Sequence, residues 1–255
     1  MAYFLVFQLQ APLSSWGEPA VGEFRGTAEH PGQAALVGLL SAALGLLRTD
    51  ELAHANLRDG YGYAIGLQST GELLRDYHTA QVPPRSALKG RPHITRRDEM
   101  AVPKRELTTV LSTRDYRQNA ASLVAIQPRK EGAPPYALET LAEALNRPRF
   151  TLYLGRKACP PAAPLWPQVI DCDSAKVAFV RYGELHDSAR RSAATQSGRV
   201  ALEPLAPVQR IAFDDFIEAG VEPDLTTRRK DRLIRRRSWQ FGDRNEHLAL
   251  IAPKA

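Results

Sequence analysis

A chain of 255 residues with 44% hydrophobic and 24% charged side chains is an ordinary globular protein with a real core, which excludes fibrous, low-complexity and largely unfolded classes. Lys and Arg outnumber Asp and Glu by 34 to 28, and the resulting net charge of +6 favours a polyanionic partner, nucleic acid first. Two cysteines, Cys159 and Cys172, with no CxxC, and six histidines with no HxxxH pair, offer no zinc or disulfide framework; they read as reduced thiols in the cytoplasm, with no metal and no cofactor.

Residues 3–10 form an apolar, β-rich run that lacks the basic flank and cleavage site of a signal peptide; they read as a central strand. The loop that follows carries Trp16, either a lid over the core or a stacking platform. His30-Pro31-Gly32-Gln33 opens a buried helix to about Leu47, with Leu36, Leu39, Leu40, Ala43 and Leu47 at helical spacing. That helix is too short to span a bilayer. Its first turn, around Gln33 and beside Arg25, is either a phosphate site or a plain helix start.

A strand over residues 60–68 and a turn lead to a second strand from Leu73. Its pattern dissolves in a proline-rich, basic stretch over residues 82–103, resumes at 107–111, and gives way to a core strand at 121–126. Residues 75–117 hold ten Lys and Arg against five Asp and Glu. A segment this long, basic and aperiodic between strands is more than a connector, so residues 75–118 read as a protruding hairpin.

An amphipathic helix over residues 137–145 precedes NRPRFTLYLGRKACPP, in which a short strand at 150–154 runs into Gly155-Arg156-Lys157. A glycine at a strand end lets the backbone turn with N–H groups outward, and two cations then supply charge for a phosphate backbone. Further strands are expected at 176–182 and 208–213, with a mobile polar segment at 187–199 and a closing strand at 247–251. Residues 228–244 hold eight cations against two acids and interleave Arg235-Arg236-Arg237 with Trp239 and Phe241, a solvated face or a nucleic-acid contact. The order β, helix, β, hairpin, β, helix, β gives an α+β class: a ferredoxin-like βαββαβ unit with an insertion, an architecture shared by many RNA-binding modules. It divides into the ferredoxin-like unit at residues 1–74 and 119–185, an inserted β-hairpin at 75–118, and a C-terminal β-rich extension at 186–255 packed on that unit.

The segments FQLQAPLSSWGE, ALVGLLSAALGL, LRDYHT and PRFTLYLGRKACP, in that order and spacing over residues 3 to about 164, together resemble the CasD family, the type I-E CRISPR Cascade subunit of the RAMP superfamily. The resemblance implies a non-catalytic RNA-binding subunit that caps the 5′ handle of mature crRNA and anchors the backbone subunit (CasC family) and the large subunit (CasA family). It makes the ferredoxin-like unit a palm of the RAMP kind, and maps its β-hairpin thumb onto residues 75–118 and the glycine-rich loop onto Gly155-Arg156-Lys157. RNA-binding candidates are Trp16, Arg25, Gln33, Arg75, Tyr77, His78, Lys104, Arg105, Arg114, Arg156 and Lys157; no membrane or small-molecule partner is implied. The alternative is a metal-independent endoribonuclease, as in the similar type I-C branch, with Tyr77, His78 and Lys104 as base, acid and charge stabiliser. A third reading is a basic adaptor that touches no RNA.

Overall fold

The computed structural model describes residues 2–17, 20, 22–197 and 204–251. The chain opens with β1 (Ala2–Gln10), whose Leu5, Phe7 and Leu9 enter one core while Phe4 and Val6 enter another. Successive side chains of a strand point to opposite faces, so a run apolar at every position fits a strand covered on both sides. Then come β2 (Leu13–Ser14), β3 (Phe24–Arg25), α1 (Gln33–Leu44), α2 (Glu51–Gly60) and β4 (Tyr61–Ser69). They are followed by β5 (Glu72–Val82), the short helices α3 (Arg85–Leu88) and α4 (Arg96–Met100), β6 (Thr108–Gln118) and β7 (Ala121–Pro128). The chain continues through α5 (Leu138–Asn146), β8 (Gln168–Cys172), α6 (Ala175–Ser197), β9 (Arg210–Phe213), β10 (Leu225–Arg235) and β11 (Gln240–Leu250).

Seven strands form one sheet in the order β10-β11-β9-β4-β7-β1-β8. Its centre is antiparallel throughout, with Phe7 opposite Val124 and Val124 opposite Ile65 in one row, and Leu5, Ile126 and Tyr63 in the next. Helices α1 and α2 connect β1 to β4, and α5 lies in the connection from β7 to β8. All three pack into the core on one face through residues such as Leu36, Leu40, Leu57, Leu141 and Leu145. The opposite face is covered by α6, which contributes Ala175, Ala178, Phe179 and Tyr182. Cys159 is buried in the first core and Cys172 in the second, both as free thiols.

A second sheet is built on the long hairpin. Strands β5 and β6 pair without a break from Glu72 opposite Gln118 to Val82 opposite Thr108, and β6 also pairs β2 antiparallel and β3 parallel. The strand ends join through α3, α4 and a 3₁₀ turn, Lys104–Glu106. Thr95 and Asp98 form a reciprocal capping box at the start of α4, which is why this proline-rich stretch holds local order.

Several sequence expectations change. Residues 150–154 are not a strand: Leu152 and Leu154 are buried, but the segment meets its neighbours only through isolated hydrogen bonds such as Ser15 N–H to the Leu154 carbonyl at 3.0 Å. Inward leucines at alternate positions imitate a strand wherever an extended loop crosses a core. Residues 176–182 are also not a strand but the first turns of α6, since Ala175, Ala178, Phe179 and Tyr182 recur at helical spacing while the β-branched Val177 and Val180 face outward. The same helix continues through the polar residues 187–197, and 198–199 lie outside the described residues. Residue 186 therefore falls inside a helix. The outer strand β8 and the helix α2 carry no counterpart in the sequence reading.

The first turn of α1 is also not open to a phosphate. The Asp231 carboxylate accepts the Gln33 N–H at 2.9 Å, and a Cβ on Gly32 would stand 2.2 Å from its Oδ2. Asp231 is part of a buried network: Arg244 donates to it at 2.6 and 2.9 Å and to Glu246 at 2.6 Å, Arg229 donates to Glu246 at 3.1 Å, and Arg229 also donates to the His30 carbonyl at 3.1 Å. Two guanidinium groups thus face two carboxylates, which leaves the cluster neutral and able to be buried. Burial holds His30 below its usual 6.5, keeping the imidazole neutral beside Glu246. This network fastens the β10–β11 hairpin to the start of α1.

Candidate nucleic-acid interface

The base of the long hairpin collects four of the expected arginines. Because β3 lies parallel to β6, Arg25 stands beside Arg114, and Phe24 beside Thr113. The segment reaches this position because the chain after β2 folds back on itself: the Trp16 N–H donates to Thr27 Oγ1 at 2.8 Å and the Ala28 N–H to the Trp16 carbonyl at 2.8 Å. Arg156 enters from the loop after Leu154, its guanidinium 4.6 Å from the centre of the Tyr116 ring and donating to the Arg25 carbonyl at 3.2 Å.

That loop depends on Gly155. Its φ of +87° is disfavoured for other residues, and a Cβ there would stand 1.7 Å from the Ser15 carbonyl oxygen. The expected strand is absent, yet the expected sharp turn is present. Cys159 ends the turn, its N–H donating to the Arg156 carbonyl at 2.9 Å, and burial pushes its thiol up, so it stays protonated.

Arg75 lies opposite Asp115 and forms a two-pronged ion pair with it at 3.0 and 3.2 Å, while its guanidinium sits 5.4 Å from the Phe24 ring. The fixed fork of a guanidinium on a carboxylate holds Arg75 in one direction. Asp115 is buried, and the Ser15 hydroxyl donates to its carbonyl at 2.9 Å. Arg114 and Tyr116 share one face of β6, and Asp115 with its partner Arg75 occupies the other. Cations and aromatic rings therefore interleave on both faces of the hairpin base. Phe24 is exposed while Tyr116 is partly buried against the core, so Phe24 is the ring open to a base, and the guanidinium groups suit the phosphates of a single strand.

The other candidates separate. Trp16 is a buried core residue and offers no ring face to a base, and the Gln33 side chain is buried at the start of α1. Lys157 is exposed next to Arg156. Tyr77 is exposed on β5, while His78, the next residue, points to the opposite face with Asp76 4.0 Å from its Nδ1. Lys104 and Arg105 lie exposed in the 3₁₀ turn beyond the last strand pair. His78 pairs with Ser112 and the ladder ends at Thr108, so four residues, about 13 Å, separate His78 from the end that leads to Lys104. Tyr77, His78 and Lys104 are thus not gathered around one reacting phosphate. Phe24, Tyr116 and Asp115 are the residues the sequence reading missed; an aromatic adjoining an arginine, as in Phe24-Arg25 and Tyr116-Arg117, was their available signal.

Among the described residues, no group of three or more His, Cys, Asp or Glu side chains is arranged to hold a metal ion, and no helix is long and apolar enough to cross a membrane. The family model described as CRISPR-associated protein (Cas_Cas5) matches residues 4–245. The chain is 28% identical over 195 residues to the CRISPR system Cascade subunit CasD of Escherichia coli (strain K12), covering 71% of this chain and 78% of that protein. Two solved structures share the fold. One, titled CRISPR RNA-guided surveillance complex, has a TM-score of 0.57 at 21% identity and covers 97% of this chain and 89% of its own. The other, titled Crystal structure of Cas protein, has a TM-score of 0.55 at 22% identity and covers 97% and 94%.

Proposed function

The chain belongs to the Cas5 family of CRISPR-associated proteins, and from that premise we propose that it is a non-catalytic, RNA-binding subunit of a Cascade-type surveillance complex. In this reading β8-β1-β7-β4 with its crossing helices is a ferredoxin-like palm, the β5–β6 hairpin is its thumb, and β9, β10 and β11 belong to a C-terminal extension. The RNA is the 5′ handle of a mature crRNA, capped at the thumb base, while the thumb and palm anchor a backbone subunit of the CasC family and a large subunit of the CasA family. The observation that carries the reading is the gathering of Arg25, Arg114 and Arg156 with Tyr116 on one face of the hairpin base, with Arg75 over Phe24 on the other. The geometry favours a scaffold over a nuclease, because Tyr77 and His78 point to opposite faces of one strand.

The test is binding of a short single-stranded RNA across a salt series. Arg156→Ala with Lys157→Ala should flatten the log–log slope by about 1.4, at roughly 0.7 for each lost phosphate contact. An unchanged slope removes the loop from the site. In parallel, His78→Ala should leave the 5′ ends of copurified RNA unaltered; accumulation of uncut precursor on the folded variant would make this chain the ribonuclease.

A further inference from the structure

The turn between β10 and β11 lies outside the thumb base, and its charges are arranged differently from those of the strands it joins. Along the hairpin the arginines are matched with carboxylates: Arg228 with Asp243 at 3.8 Å, Arg229 with Glu246 at 3.1 Å, Arg232 with Asp59 at 3.1 Å and Arg244 with Asp231 at 2.6 Å. At the turn the matching stops. Among the described residues, the side chains of Arg235, Arg236 and Arg237 form no ion pair with a carboxylate, although Arg236 is half-buried over Gly38 of α1 and burial pulls its pKa down.

The turn is nevertheless held in place. Glu51, at the start of α2, accepts the Arg236 N–H at 2.9 Å and the Arg237 N–H at 2.7 Å, while Arg48 donates to the carbonyls of the same two residues at 3.3 and 2.8 Å. Trp239, half-exposed and at a φ of +53° that is uncommon for a tryptophan, lies 4.3 Å from the Arg236 guanidinium and 4.8 Å from that of Arg48. An indole packed against two guanidinium groups restrains them, with Arg48 turned onto the backbone carbonyls of the turn. Glu51 lies within electrostatic reach of Arg235 and Arg236 and offsets part of their charge, but Arg48 and Arg235–Arg237 outnumber it, and crowded, partly desolvated cations cost free energy that an anionic ligand would offset.

We propose that this Arg48, Arg235–Arg237 and Trp239 turn is a second polyanion site, taking the phosphates of a nucleic-acid strand. Nucleic acid rather than an acidic protein surface is favoured by the interleaved Trp239 and by position. Arg236 lies within electrostatic reach of Tyr153, two residues before Gly155, so the turn adjoins the loop that leads to Arg156 and the thumb base. The strand is either the RNA already held there or a separate DNA, which differ in sugar and not in phosphate.

The experiment titrates the full chain with three labelled probes over a salt series: a 24-nucleotide RNA, a single-stranded DNA of the same sequence, and the matching DNA duplex. Arg235→Ala with Arg237→Ala removes two exposed side chains and should keep the melting temperature. The slope on at least one probe should fall by about 1.4 on a single strand or 1.8 on duplex, two contacts at roughly 0.7 or 0.9 each, and the affected probe identifies the strand. Arg236→Met should flatten the slope by about 0.7 on that probe while melting no lower than the parent, since it removes a partly buried cation crowded by Arg48. Equal slopes on all three probes overturn the proposal, as does an Arg236→Met variant that melts lower with unaltered binding. Loss of a partner subunit from the assembled complex with all slopes unchanged also overturns it and makes the turn a protein contact. Arg114→Ala with Arg156→Ala separates the two sites: parent-like RNA binding by that variant sinks the thumb-base reading and leaves this one to its own variants.

Discussion

Gly155→Ala tests whether the loop geometry at the thumb base is required. The residue holds a φ of +87°, a region that costs an L-residue with a Cβ about 1–2 kcal/mol. The new methyl would also stand 1.7 Å from the Ser15 carbonyl oxygen, so the loop has to retreat by more than an ångström. That retreat takes with it the hydrogen bond from Ser15 N–H to the Leu154 carbonyl, now 3.0 Å, at a net cost of about 1 kcal/mol. The sum is about 2–3 kcal/mol, or roughly 4–12 °C in melting temperature for a chain of this size. Thermal unfolding followed by circular dichroism reads it directly. Because Arg156 is the next residue, RNA affinity measured well below the melting point should also weaken. A melting temperature within about 2 °C of the parent and unchanged affinity would refute the reasoning, since the loop would then have room that the geometry denies it.

Leu40→Ala should lower stability by about 2–5 kcal/mol in denaturant unfolding, because the side chain is 1% exposed in the core under α1. Asp231→Ala should cost about 3–5 kcal/mol by the same measurement, since it leaves the buried guanidinium groups of Arg229 and Arg244 to share Glu246 and the Gln33 N–H without its acceptor. The contribution of buried His30 to stability should fall as pH drops below about 6.5 and the unfolded chain binds a proton that the folded chain resists, against an opposite contribution from Asp214, whose carboxyl burial pushes up to about 6; His30→Gln should therefore make a melting-temperature profile fall less on acidification in that range than the parent's.

The fold was legible where one physical rule acted alone. β1 and β7 announce their double burial by unbroken apolar runs, α1 by its leucine spacing, and the β5–β6 hairpin by a basic insert too long for a turn. Reading failed where two rules give the same local pattern. Leu152 and Leu154 alternate as in a strand but belong to an extended loop, and α6 begins with β-branched residues that happen to face outward. Charge misled most. Arg229, Asp231 and Arg244 belong to the run read as a solvated face or a nucleic-acid contact, yet with Glu246 they are buried because each finds an opposite charge across the hairpin or its fold, a pairing visible only once β10 and β11 are in register. At the site, Arg25, Arg75, Arg114 and Arg156 were legible as cations, while Trp16 and Gln33 went to the core. Asp115 was not legible, because its role is to orient Arg75 from the opposite strand.

The central claim is that the base of the β5–β6 hairpin holds the 5′ end of a guide RNA within a multi-subunit complex. The most direct measurement coexpresses this chain with its neighbouring subunits, isolates the assembly, and sequences the 5′ ends of the bound RNA for the parent and for Arg114→Ala with Arg156→Ala. The account predicts one uniform 5′ end in the parent and, in a variant that still folds, loss of RNA or a ragged, trimmed 5′ end. Recovery of the same amount of RNA with the same 5′ end from both would contradict it.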